Sequence, residues 1–242
     1  MSVSTPGPPP PMTPAPPQHS GPPPRVDVLR SPQGLATAVT VLLCVAAGVN
    51  LLSAGVNVFT LSVTTGPAGV PDGTVDLAAV LTGLAGIVQL LSLLGTAAVF
   101  LVWFHRVRVN GEIFRAEVFT QKRGWAIGGW FIPLGHMFLP FWTARETWRA
   151  GTRLGPDGSP VRVSTAPLTA WWVVWVVAAL AGRLTSGLYN HAETPEELGT
   201  ASAFGLGSDL LMVAAAVLAV RFVRKLTAMQ HTMAVQGPYA TA

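Results

Sequence analysis

Residues 77–108, LAAVLTGLAGIVQLLSLLGTAAVFLVWFHRVR, decide the fold. No charged side chain occurs from Leu77 to Phe104, and the run then ends in His105, Arg106 and Arg108. About 20 consecutive apolar residues are enough for a helix to cross a hydrocarbon core of roughly 30 Å, so the stretch reads as a membrane span with a cationic border. Residues 35–61, 168–189 and 200–223 reach similar length. Composition agrees: 50% of the residues are hydrophobic, 11% are charged and the mean hydropathy is +0.48. A water-soluble domain of 242 residues would be left with too little polar surface. The fold class is therefore an all-α integral membrane protein with four transmembrane helices, and its first partner is the lipid bilayer.

Charge then orients the spans. The net charge of +4 and pI near 10.0 could suit nucleic acid, but the basic residues gather beside the apolar runs, as the positive-inside rule requires, and no nucleic-acid partner is expected. The loop 64–76 carries Asp72 and Asp76 without Lys or Arg, and the loop after the third span carries His191, Glu193, Glu196 and Glu197. Both should lie outside. Arg106, Arg108, Arg115, Lys122 and Arg123, and later Arg221, Arg224 and Lys225, should stay in the cytoplasm. The expectation is a multi-pass cell-membrane protein with both termini cytoplasmic and a membrane domain over residues 35–225.

Residues 1–34 hold Pro8 to Pro11 and Pro22 to Pro24 among Gly, Ser, Thr and Ala, so they cannot bury enough surface to fold and read as a disordered, Pro-rich cytoplasmic tail. Their Pro-x-x-Pro spacing could dock a cytoplasmic partner. The tail lacks the basic start of a secretory signal peptide, so the first span should be a retained anchor. Residues 226–242 read as a second short tail. Cys44, the only cysteine, lies in the first apolar run; this excludes an internal disulfide and a thiolate metal cluster, and no cofactor is expected.

Residues 124–150 are less regular. The part 124–142 is apolar but short, broken by Pro133, Pro140 and several Gly, and basic residues flank both ends. A complete crossing would put one positive cluster outside and give five helices. The more economical reading is a re-entrant or interfacial segment packed against the spans. Its distinctive residues are Trp125, Trp130, Phe131, Pro133, Pro140, Glu146, Trp148, Arg149 and Ala150, with Phe100, Leu101, Trp103 and Arg106 before them and Trp171, Trp172 after. In order and spacing these resemble family 4328 of the domains of unknown function, actinobacterial multi-span membrane proteins without an established activity. The resemblance covers about Leu35 to Lys225 and implies a class but no reaction. Where that family usually has Asn three residues after its first motif proline, this chain has His136.

The motif also has a direct physical reading. The two prolines break backbone hydrogen bonding, and after Pro140 the residues Phe141, Ala144 and Trp148 repeat at helical spacing opposite Arg145, Arg149 and Thr152. That describes an amphipathic interfacial helix, with indoles at headgroup depth and Glu146 able to pair with Arg149 across one turn.

Polar residues inside spans are costly and so are candidates for function or for pairing. Arg183 and Asp209 fall in the outer halves of neighbouring antiparallel spans, which suggests an ion pair. Asn50 and Asn57, seven residues apart, share nearly one helix face, and Gln89 is near the middle of the second span. Asn50, Gln89, His136 and Asp209 could together line a polar cavity. Small residues spaced by four, among them Ala178 with Gly182 and Ala201 with Gly205, allow close helix approach or self-association.

Catalytic patterns fail one by one. Asp209 has no second intramembrane acid to share a proton with, Ser208 has no base secured nearby, the five histidines are scattered, and neither a P-loop nor a dinucleotide fingerprint occurs, so no enzyme is expected. Two function classes remain: a membrane interaction or scaffold protein, and a small-solute or ion conduit with a polar intramembrane site.

Overall fold

The computed structural model describes residues 28–66 and 72–238. The Pro-rich stretch 1–27 and the middle of the first acidic loop lie outside them. The described chain is helical, with only one isolated antiparallel bridge, Leu154 to Pro160.

Four long helices match the four apolar runs: α1 (Gln33–Thr65), α2 (Asp72–Phe114), α5 (Ala166–His191) and α6 (Pro195–Gln236). All four are long and apolar enough to cross a membrane. Between α2 and α5 lie the short helix α3 (Trp125–Gly128) and the helix α4 (Leu139–Ala150). The segment 124–150 makes no fifth long helix. It leaves the end of α2, turns at Pro133 to His136, and returns to the same end of the bundle through α4. The four long helices therefore run alternately up and down, with three reversals between them, and Gln33 and Gln236 lie at one end, here termed the basic end; Glu193, Glu196 and Glu197 mark the acidic end.

α6 begins on a capping box, in which the Thr194 hydroxyl accepts from the Glu197 N–H and the Glu197 carboxylate accepts from the Thr194 N–H, with Pro195 in the first turn. It does not stop near residue 223. At 42 residues it is about 63 Å long, twice the hydrocarbon thickness, so residues 226–236 are helix and not a loose tail. α2 overshoots in the same way, and the two extensions pack together. Trp103 donates to Thr227 (3.2 Å) and Gln230 donates to the Val107 carbonyl (2.7 Å), while Asn110 donates to the Arg30 carbonyl (2.8 Å) and so brings in the residues just before α1. The span boundaries read from hydropathy miss these polar helical turns because they carry too many hydrogen-bonding residues to look like membrane.

α1 and α6 form the central pair, α2 flanks α1, and α5 flanks α6. α2 and α5 share almost no contact along their length. They approach at the basic end, where the Phe100 and Trp171 rings lie 5.6 Å apart in an aromatic core. Phe222 is stacked between Trp171 (centroids 4.7 Å) and Trp148 (6.1 Å), with Trp103 edge-on at 5.8 Å. Trp148 is thus fully buried. This corrects the interfacial reading of its indole: α4 is amphipathic, but its apolar side faces protein, because Trp148 finds ring partners that lipid cannot offer. Arg145, Arg149 and Trp142 occupy the outward side.

The segment 124–150 is packed on one side only. Trp130 sits among Phe100, Phe104, Trp172 and Trp175, whereas Phe131, Leu134 and Phe138 are exposed. The expected packing against the long helices is thus one-sided. Local bonds such as His136 N–H to Ile132 C=O (2.9 Å) and Trp142 N–H to Phe138 C=O (3.2 Å) satisfy its backbone, so its outer side needs no polar neighbours. Gly129 is required in the turn, since a Cβ there would lie 2.9 Å from the Trp125 carbonyl oxygen.

Candidate functional site

The gap between α2 and α5 is a cleft of about 750 Å³, floored by α1 and α6 and closed at the basic end by Phe100, Trp130, Trp171 and Trp175. Its size is in the range of small-molecule sites, roughly 300–1,000 Å³. Asn50, Gln89 and Asp209 all line it. Gln89 Nε2 donates to Asn50 Oδ1 (3.0 Å) and to Asp209 Oδ1 (2.7 Å), which joins α1, α2 and α6 in one network. Asn57 Nδ2 donates to the other Asp209 oxygen (2.9 Å). The Tyr189 hydroxyl donates to Asn57 Oδ1 and lies 3.2 Å from Ser202 Oγ, adding α5.

Helical spacing explains the assembly. Asn50, Ser53 and Asn57 repeat at intervals of three and four on α1, and Gly83, Gly86 and Gln89 at intervals of three on α2, so each set forms one stripe facing the cleft. Asn57 comes within reach of α6 because Gly205 is opposite it. A Cβ on Gly205 would lie 2.9 Å from both terminal atoms of the Asn57 amide. Gly205→Ala should therefore destabilise the bundle by about 1–3 kcal/mol in thermal unfolding in mild detergent. Combining it with Asn57→Ala should remove most of the additional cost, since the clashing group is gone.

His136 does not join the cluster. It lies against Ala179, Leu180 and Arg183 of α5, in a separate small recess. Arg183 Nη2 is 3.3 Å from His136 Nε2, and the Arg183 to Asp209 ion pair expected from the sequence is absent. The reason is helical phase. Gly182 faces α6 near Ser208, so the next residue, about 100° further round, points away from α6 and toward His136 in the turn of segment 124–150. Glu146 also departs from expectation: its carboxylate accepts from the N–H and hydroxyl of Thr120, tying α4 to the loop 115–123, and Arg149 faces outward. Of the other motif residues, Pro140 is buried in the first turn of α4, Pro133 opens the tip, and Trp125 stays partly exposed. The motif is thus largely the scaffold closing the cleft at its basic end.

Tyr189 and Ser53 were not singled out by sequence reasoning. Tyr189 closes the third apolar run, where a tyrosine reads equally well as an interfacial anchor, and a lone serine in a span carries no signal.

A family model described as a domain of unknown function, DUF4328, matches residues 67–228, well over half of the chain. The chain belongs to the DUF4328 family. The match starts later than the resemblance from Leu35, so α1, which supplies Asn50 and Asn57 to the cluster, lies outside it. The DUF4328 region does contain Gln89, Tyr189, Asp209 and the whole Trp/Pro-rich segment. No curated protein and no solved structure matches the chain.

Proposed function

We propose that this DUF4328 protein is a cell-membrane protein that takes a small solute into an intramembrane site, with the basic end and both termini in the cytoplasm. The single observation that carries this reading is the convergence of Asn50, Asn57, Gln89 and Asp209 on one wall of the cleft between α2 and α5. Polar side chains at membrane depth are expensive unless paired or functional. Pairing alone would be met by close helix contact, and here the paired groups border an open space. The aromatic closure formed with Trp130 separates the cleft from the basic end, which suits a carrier or receptor better than a continuous pore. The scaffold reading relies on the Pro-rich tail, which falls outside the described residues.

The test is solvent access to the cleft. On a Cys44→Ala background, Gly86→Cys should react in membranes with a small hydrophilic methanethiosulfonate, because a thiol must ionise in water to react. Gly86 lines the cleft, and a Cβ there meets nothing within 4 Å. Ile87→Cys, next on the helix and facing outward, should stay unlabelled. Equal inertness at both positions would refute a solute-accessible site.

A further inference from the structure

We infer that the cleft takes an amphiphilic organic cation, an ammonium head against Asp209 with an apolar tail lying along α2 toward the aromatic end. This rests on reading the cleft as a solute site and names the chemistry of its occupant.

Donor and acceptor usage is the first argument. Gln89 directs its amide N–H groups to Asn50 and Asp209, Asn57 directs its amide to Asp209, and Asn50 Nδ2 donates to the Ala46 carbonyl (2.7 Å). The Tyr189 hydroxyl is engaged with Asn57. Both N–H groups of Gln89 and one each of Asn50 and Asn57 are thus taken up internally, and among the described residues Asp209 is the one charged side chain lining the cleft. A carboxylate surrounded by neutral groups alone favours a ligand that brings N–H donors or positive charge.

Charge is the second argument. Asp209 is buried, and among the described residues no Lys, Arg or His pairs with it. Arg183, the nearest candidate by sequence, is turned away to His136. A buried carboxylate is held by hydrogen bonds but stays electrostatically uncompensated, so a cation entering the cleft gains more there than a neutral or anionic analogue.

Shape is the third. From Gln89 to Phe100 the helix rises about 16 Å, so the carboxylate and the aromatic end are separated by the length of an extended acyl-type chain. Between them the wall is mostly apolar, with Leu90, Leu93, Leu94 and Ala97 of α2 and Met212 and Ala216 of α6, and only Ser92 and Thr96 of that stretch of α2 are polar. Because α2 and α5 scarcely touch, the cleft is open sideways, and an amphiphile can enter from the bilayer without losing its apolar surroundings.

The experiment uses the full chain in neutral maltoside micelles and three bromine-ended probes: dodecylammonium, the equally long alcohol and the equally long carboxylate. Bromine quenches indole fluorescence on contact, and Trp130, Trp171 and Trp175 line the far end of the cleft. The ammonium probe should quench saturably, while the alcohol and carboxylate show only the non-saturating effect of partitioning into micelles. Asp209→Asn should raise the apparent Kd about tenfold or more, a loss of at least about 1.4 kcal/mol. Gly86→Leu, whose Cβ meets no atom within 4 Å and whose side chain occupies the cleft, should abolish saturable quenching, and it keeps the test decisive if Asp209→Asn fails to fold. Saturation by all three probes alike, lost in Gly86→Leu, would overturn the cationic class and leave the solute site standing. Absence of saturation with any probe, or saturation unaffected by Gly86→Leu, would overturn both.

Discussion

Trp148→Ala is expected to destabilise the protein by about 3–5 kcal/mol, while Trp142→Ala, six residues earlier in sequence, should be close to neutral in the same assay. Trp148 is 1% exposed and Trp142 is 54% exposed, although both lie on the same short helix. Removing the Trp148 indole takes away one face of the stack on Phe222 and opens a cavity bordered by Trp103, which surrounding helices cannot collapse to fill. Trp148→Phe should retain part of the stability through the surviving ring contact. Thermal unfolding in detergent micelles of fixed composition measures the difference. If Trp142→Ala proves the more damaging change, α4 is held by the headgroup layer, as its amphipathic sequence suggests, and the core packing described above is not what stabilises it.

The second large effect belongs to Arg108, which is 1% exposed at the basic end. Its Nη1 donates to Glu112 (3.1 Å), its Nη2 to the Gln121 carbonyl (2.6 Å), and its guanidinium carbon lies 3.5 Å from the centre of the Phe119 ring. Glu112 is shared with Arg123 (2.6 Å). One planar cation therefore ties the extension of α2 to the loop that leads into the segment 124–150. Arg108→Ala leaves a buried carbonyl and ring without a partner and should cost about 3 kcal/mol or more. Limited trypsin digestion reports it locally: cleavage after Arg115, Lys122 and Arg123 should accelerate strongly relative to the parent chain. Arg108→Lys should fall between, since an ammonium keeps the charge but cannot make the fork. Unchanged protection in Arg108→Ala would show that the Arg123 to Glu112 pair and Glu146, through Thr120, hold the loop without Arg108.

How much was legible differs between fold and site. The spans 35–61, 77–104, 168–189 and 200–223 correspond to α1, α2, α5 and α6 because hydropathy integrates over many residues, and a run of that length has few other solutions. The stripe of Asn50 and Asn57 was legible for the same reason: spacing along one helix is a property of sequence. Phase between helices is not. Arg183 and Asp209 fall in neighbouring helices at comparable heights, yet they point in different directions, and a one-residue offset of about 100° decides whether two charges meet. Gln89 reaches Asp209 only because α1 and α6 pack closely enough, through Gly205, to bring α2 alongside.

The tryptophans show the same division. Their positions at the ends of apolar runs suggest a headgroup belt, and Trp142 and Trp125 remain on the outside, but Trp103, Trp148, Trp171 and Trp172 are turned inward. An indole is as content against rings as at an interface, so its type cannot choose between the two.

From the order of residues alone came the four long apolar helices and their alternating direction, since each follows from local composition and from the requirement that backbone polar groups be satisfied along a single stretch of chain. The course of the central Trp/Pro-rich segment, the cleft between α2 and α5, the amide and carboxylate network on its wall and the partners of Asp209, Arg183 and Glu146 came only from the tertiary structure. These depend on the rotation and spacing of helices that are distant in sequence, and on which small residues let them approach.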